Sequence, residues 1–408
     1  MFINKLNKTS INIILKTLSY FLALIVILGS SSFGISFGSF FYISILFIFS
    51  FLILIIQKEI FIYNLNIFFL VIASVLSLLL NDVPSYFSSY QRLLFFVIIL
   101  FIIGPLCISQ TLQNFRQRLF VILNNFNILF CSFSFLGLIS GLYVGLTTRN
   151  GLDRPDFTGF YNHSMILGPA SSIALLTCLY YFYESGNKIK KIFLIILICL
   201  CAMSAITAGS RAALVGLLIG LLFFYYKKYK GRMTRFIKTL SFVVFLLIIS
   251  FPIWEDNTKF LMNKFNRAED SNDPFDSRSD KWNLRLTEFQ TSPIFGIGFA
   301  SVSVIDQTSL EKLKGIIEPG SSWLSVLSMT GILGFVPIFI FFTSHFTFLF
   351  RLKTSGENIA SYLGSLFLLF TLHMLFEGYI FASGAFLFFY LWLFLGILEG
   401  YRRQKNLS

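Results

Sequence analysis

The chain has 408 residues, of which 56% are hydrophobic, 18% aromatic and only 12% charged. A soluble domain carries about 25% charged residues, and here apolar runs of about 20 residues, each long enough to cross a ~30 Å hydrocarbon layer as a helix, recur from end to end. A water-soluble globular fold is excluded, and so is a β-barrel, because the runs do not alternate apolar with polar residues; the net charge of +13 points to basic cytoplasmic loops rather than nucleic acid.

The expected fold is all-α: a polytopic transmembrane helical bundle of about 12 spans, with one large external loop between spans 9 and 10. Taken in order, the spans run over residues 11–29, 37–56, 61–80, 93–108, 119–146, 165–183, 192–208, 211–226 and 236–253. The long polar loop follows, and then spans 322–350, 359–376 and 379–398. The chain thus divides into spans 1–9 (residues 1–253), the loop (254–321), and spans 10–12 with a tail (322–408). The basic start, MFINKLNKTSINIILK, shows no small-residue cleavage site after its apolar run, so it reads as an uncleaved anchor. Five cysteines, Cys107, Cys131, Cys178, Cys199 and Cys201, lie in or beside apolar runs, which implies no disulfide framework.

Charge sets the orientation. The N-terminal tail, alternate loops and C-terminal tail hold 20 of the 32 basic residues. By the positive-inside rule both termini are cytoplasmic and the long loop is external. The short loops on the external side hold only Arg92, Arg149, Arg154 and Arg211. All four are arginine, whose planar fork fits phosphate oxygens. The set reads as an anion site, whereas Arg92 alone reads more simply as a cation snorkelling to headgroups.

Three stretches are candidates for chemistry. In Thr207-Ala-Gly-Ser-Arg-Ala-Ala-Leu-Val-Gly216 two spans meet with almost no loop. Gly209 and Ser210 permit a tight reversal, and Ser210 is placed to cap the next helix. Arg211 then adds charge to a positive helix N-terminus, which suits a diphosphate; a snorkelled cation is the plainer alternative. Thr147–His163 is short, polar and aromatic. It offers Arg149 and Arg154 for phosphate, Tyr161 and Phe160 for stacking on a sugar, and His163 as base or donor, or else as a helix cap. In the long loop, Arg278, Trp282 and Arg285 follow one another at helical spacing, so one face presents two guanidiniums around a tryptophan. Pro293, Gly296 and Gly298 stop that helix. Glu318 stands just before the next span.

The order of these motifs resembles the O-antigen ligase and Wzy-type O-antigen polymerase family of bacterial membrane glycosyltransferases. The resemblance lies in Gly209-Ser210-Arg211 opening a helix, Ser277-Arg278 before Trp282, Pro293 with Gly296-x-Gly298, and Trp323-Leu324 leading to Gly331-Ile-Leu-Gly334. It covers about Thr147 to Gly334. It implies metal-independent glycosyl transfer, with no cofactor, at the outer face of the bacterial inner membrane. The donor would be an undecaprenyl-diphosphate-linked oligosaccharide, the acceptor a glycan hydroxyl, and a chain-length regulator a further partner. Arg211 and Arg278 carry over as diphosphate ligands by motif position; Arg154 and Arg285 join them on charge and placement. Trp282 and Tyr161 are the expected sugar-stacking residues. Ligases of the family usually carry a His-Asn pair where this chain has Gly320 and Ser321. That departure favours a polymerase over a ligase and leaves Glu318, then His163, as the candidate general base. A flippase for lipid-linked oligosaccharide would place ionisable residues near the membrane midplane. Within the spans only His345 and His373 qualify, and both read as packing residues.

Overall fold

The computed structural model describes residues 8–33, 61–141, 146–147, 156–229, 276–303, 317, 319–352 and 358–407, with isolated helical positions at 48, 234, 237, 238 and 241. The expected second and ninth spans fall outside these residues.

Among the described residues the chain is a bundle of helices. They are α1 (Lys8–Gly29), α2 (Leu65–Leu79), α3 (Ser89–Ile102), α4 (Gln110–Ser140), α5 (Ser164–Glu184), α6 (Lys188–Thr207), α7 (Arg211–Lys228), α8 (Asp276–Thr291), α9 (Ser322–Arg351), α10 (Asn358–Phe376) and α11 (Phe386–Leu407). Two short antiparallel pairs, Ile62–Tyr63 with Cys107–Ile108 and Leu146–Thr147 with Asp156–Phe157, join loops. Among the described residues six helices are long and apolar enough to cross a membrane: α4, α5, α6, α9, α10, and α3 with its preceding turn. The apolar part of α1 and α2 are shorter. The helices start where polar side chains satisfy free amides: Asn64, Ser109, Asn187 and Ser321 cap α2, α4, α6 and α9.

Helix α11 lies deep in the bundle, with Phe388 to Leu395 all buried. Helix α6 instead turns Ile189, Ile192, Phe193 and Ile196 outward, as a lipid-facing helix does. Helices α7 and α10 approach backbone to backbone. A Cβ added to Gly216 would sit 3.3 Å from the Leu369 carbonyl oxygen, and one on Gly220 would sit 3.1 Å from that of Ser365. Small residues four apart permit this approach in a membrane interior.

Several expected boundaries move by four to nine residues, and two of them have a visible cause. The last span begins at Phe386 rather than Tyr379. The Ser322 hydroxyl accepts hydrogen bonds from the Tyr379 and Ile380 amides (3.0 and 3.3 Å), which holds that segment as a turn. Hydropathy does not register such a bond. The fifth span begins at Gln110 rather than Leu119, because Gln113 and Arg116 are buried. Arg116 donates to the carbonyls of Phe101, Ile102 and Cys107 (3.2, 2.9 and 2.7 Å), closing the end of α3. Lys227 does the same at the end of α9, donating to Phe350 and Leu352. Cations suit such carbonyl-rich helix ends.

One interlock positions the site. Helix α9 is broken at Gly331, whose φ of 63° and ψ of −165° are not helical. The break frees backbone groups, and the loop after α8 takes them. Ile332 N donates to Pro293 O (2.9 Å), Leu333 N to Ile294 O (3.3 Å), and Ile297 N to Ser328 O (2.9 Å). Irregular backbone is tolerated at such depth only where protein satisfies it. The approach excludes side chains: a Cβ on Gly296 would lie 2.3 Å from the Met329 carbonyl carbon, and one on Gly331 2.2 Å from Ile294 O. The Pro293–Gly298 motif therefore docks α8 onto α9, beyond merely ending a helix.

Candidate active site

A cavity of about 430 Å³ opens at one end of the bundle. Gln91 and Arg92 line it from the start of α3, Met329 from α9, Phe381 and Ser383 from the turn before α11, and Pro319 from the approach to α9. Ser383 donates its hydroxyl to the Arg92 carbonyl (3.3 Å), tying that turn to α3.

Beside the cavity, α8 lies across the start of α9 and the end of α10. The Trp282 indole N–H reaches the Gly320 carbonyl (3.4 Å), and its ring packs on Phe376 at 6.0 Å. Arg278 forms an ion pair with Glu377, the residue after α10. Gly378, next in the chain, is a wall of the cavity and packs so closely on Pro319 that a Cβ there would sit 2.0 Å from Pro319 Cγ. Glu377 was not singled out from the sequence. It lies 99 residues from Arg278, and no local pattern joins them.

Arg211 arrives at the same end. The contacts of Gly220 with Ser365 and of Gly216 with Leu369 set an antiparallel register between α7 and α10. One further turn puts Arg211, the first residue of α7, level with the last turn of α10, which holds His373 and runs into Glu377. Gly209 makes the expected reversal at φ 63°. Ser210 occupies the cap position without a side-chain bond to the helix, contrary to expectation; it packs against Gly168 instead. His373 is buried, with Nδ1 3.4 Å from the Tyr379 hydroxyl and no hydrogen-bond partner for Nε2 among the described residues.

Three expected site residues have other positions. Arg285 is buried rather than presented to a ligand. Its Nη1 lies 2.9 Å from Glu288 Oε2, and both side chains are about 2% exposed or less (2% and 1%). The Ser303 amide completes the pair by donating to Glu288 Oε1 (2.8 Å). Burial pushes the Glu288 carboxyl above its usual range and draws the Arg285 guanidinium below its own. The sequence spacing was right, but the Arg285 end of the face meets protein.

Tyr161 is fully buried, donates its hydroxyl to Asn127 Oδ1 (2.6 Å) and packs on Phe386 (5.5 Å), so no face is left for a sugar. His163 caps α5, its Nδ1 accepting from the Met165 amide (3.0 Å). Arg154 and Glu318 lie outside the described residues, as does Arg149.

The positions where ligases of the family carry a His-Asn pair have structural tasks here. Gly320 takes φ 73° and packs on Lys281, where a Cβ would lie 2.7 Å from the Lys281 Cβ. Ser321 caps α9. A histidine at position 320 would meet both a strained backbone and α8.

Residues 172–339 match the family model described as O-Antigen ligase. No curated protein matches the chain. The matched region holds Arg211, Arg278, Trp282 and the Gly331 break, the same segments that carried the motif resemblance. The match covers less than half of the chain and supports an O-antigen ligase/Wzy-type family, whose members are membrane glycosyltransferase-like enzymes; the six apolar helices among the described residues fit a multi-pass membrane protein.

Proposed function

We propose that this chain is a polymerase of bacterial surface polysaccharide (O-antigen, capsule or exopolysaccharide). It joins undecaprenyl-diphosphate-linked repeat units by metal-independent glycosyl transfer at the outer face of the inner membrane, and a chain-length regulator is a further proposed partner. The observation that carries this reading is the meeting of Arg278, Arg211 and the Arg92-lined cavity at one end of the bundle. That end is external if both termini are cytoplasmic.

In this reading the acceptor hydroxyl attacks the anomeric carbon of the donor sugar, and the bond to the lipid diphosphate breaks. Arg278 and Arg211 hold the diphosphate oxygens as negative charge grows on them. Each charge-assisted hydrogen bond contributes about 1.5–3 kcal/mol, and donors set in place before the reaction stabilise the leaving group without reorganising. Arg92 extends the positive lining into the cavity. Trp282 is the proposed stacking surface for sugar. Glu318 is the proposed general base: Ile317 and Pro319, on either side of it in sequence, both line the cavity. His163 is second, since Nδ1 is committed to the cap.

The residues at 320 and 321 favour a polymerase over a ligase. A transporter reading gains nothing from the two span histidines. His373 lies in the last turn of α10, and His345 pairs with Glu399 (3.0 Å) toward the opposite end of α9.

The test is a gel of surface glycan from cells with and without the gene. Loss of the long-chain ladder, with one repeat unit still on its acceptor, is the expected outcome. Loss of all attached glycan, with long chains kept on the lipid carrier, would mean a ligase. Arg211→Ala is expected to abolish the ladder while the protein still reaches the membrane; a normal ladder would remove Arg211 from the site.

A further inference from the structure

We infer that Glu377 is a built-in competitor for the diphosphate position on Arg278, and that it drives release of the spent lipid diphosphate. This rests on the donor reading above and concerns the regulation of that same site.

Three observations lead there. First, the Arg278–Glu377 pair is direct and reachable: the two side chains are 19% and 14% exposed. A carboxylate and a phosphate present similar paired oxygens to a guanidinium, so either one satisfies the same fork. A partly exposed pair is also weakly held and can exchange.

Second, Glu377 is anchored where Arg278 is not. Its amide donates to His373 O (3.0 Å), and its carbonyl accepts from Ser322 N (3.0 Å) and Ser322 Oγ (2.6 Å). The arginine stands in the first turn of α8, on a long side chain. When the guanidinium moves to a ligand, the carboxylate stays behind at the rim.

Third, the rim is closely packed. Gly378 forms part of the cavity wall and lies against Pro319, which fixes the segment next to the carboxylate on one side.

In the empty enzyme Glu377 therefore neutralises Arg278, and an incoming donor must displace it. The donor does so with a higher charge and with its glycan held in the cavity. After transfer the glycan is no longer joined to the lipid diphosphate, and the fixed carboxylate retakes the arginine. No covalent bond changes in this exchange; only the arginine's partner does. The charge on the lipid diphosphate persists after transfer, so it is the loss of the cavity-held glycan that lets Glu377 retake Arg278; Glu377 is thus a positioning residue that trades ground-state affinity for turnover.

The experiment measures binding of undecaprenyl diphosphate to the full-length protein in detergent micelles. Wild type is compared with Glu377→Gln, Glu377→Asp and Arg278→Ala. The expected result is about two- to fivefold tighter binding and slower release for Glu377→Gln, the worth of one partly exposed ion pair. Glu377→Asp, whose shorter carboxylate reaches the guanidinium less well, gives an intermediate tightening. Arg278→Ala binds more weakly than wild type. A merely structural Glu377 predicts the opposite sign, so equal or weaker binding in both Glu377 variants would overturn the competitor role and leave the donor site standing. If wild type does not bind the probe and Arg278→Ala is no different, the donor reading fails and this inference fails with it.

Discussion

Helix α8 carries two arginines seven residues apart, and each meets a carboxylate, yet the surroundings of the two pairs are opposite. Arg285 finds Glu288 three residues on in the same helix, and both are buried with Ser303 as a further partner. Arg278 finds Glu377 in a different element, at a rim that keeps contact with solvent. A buried pair is held because breaking it leaves a charge without water. A partly exposed pair costs little to open, and a site that must bind and release an anion needs that property. The difference lies in burial rather than in residue type.

The contrast is open to direct attack. The largest effect is expected from Arg285→Ala, which leaves the Glu288 carboxylate buried alone. It should cost about 3–5 kcal/mol of stability, read as a fall in the thermal midpoint of the purified protein. Arg285→Met combined with Glu288→Leu should recover much of that loss. A wild-type midpoint in the single variant would mean that the buried pair is not structural.

Next comes Arg278→Ala. It should leave stability within about 1 kcal/mol but cut chain extension about 10- to 100-fold, as removal of one or two charge-assisted hydrogen bonds does. Lysine at 278 should rescue only in part, because it lacks the fork. Equal effects on stability and extension would erase the distinction between the pairs.

Gly331→Ala tests the interlock that seats both pairs. The position combines φ 63° with backbone 2.2 Å from an added Cβ. A loss of about 1–3 kcal/mol is expected from the strain, together with earlier proteolysis of α8.

The smallest effect is one of pH. The Glu288 carboxyl titrates above its ordinary 4.5, chiefly through burial. Its folded state therefore binds the proton more readily than its unfolded state. The stability it contributes is fully present below about pH 4.5 and is lost as pH rises through the raised value. The difference in midpoint between wild type and the Arg285→Met/Glu288→Leu variant should follow that sign across the acid range. A flat difference would show that Glu288 titrates normally.

Much of the fold was legible before the structure. Apolar runs located α5, α6, α9 and α10 within a few residues, since each must hide its backbone in hydrocarbon whatever its neighbours. The boundary errors at Gln110 and Phe386 have one cause. Gln113, Arg116 and the Ser322 hydroxyl are satisfied by distant backbone, and hydropathy scores them as if they were alone. The site was legible in part. The helical face that joins Arg278 and Trp282 was readable because helical spacing is a local property. Tyr161, in the loop before α5, and Arg285, in α8, are buried by partners that nothing in their own neighbourhood of the sequence reveals. Glu377 was missed because its only mark in the sequence is one acid between two apolar runs.

The sequence by itself determined that the chain is a bundle of membrane-length helices, with arginines gathered at a few polar turns. Those are sums over neighbouring residues, and neighbours are what a sequence lists. Only the tertiary structure decided which arginine is buried with a carboxylate of its own helix and which is partly exposed beside one from a distant element. A charge is held or exchanged according to its access to water, and that access is set by elements as far as 99 residues away in the chain.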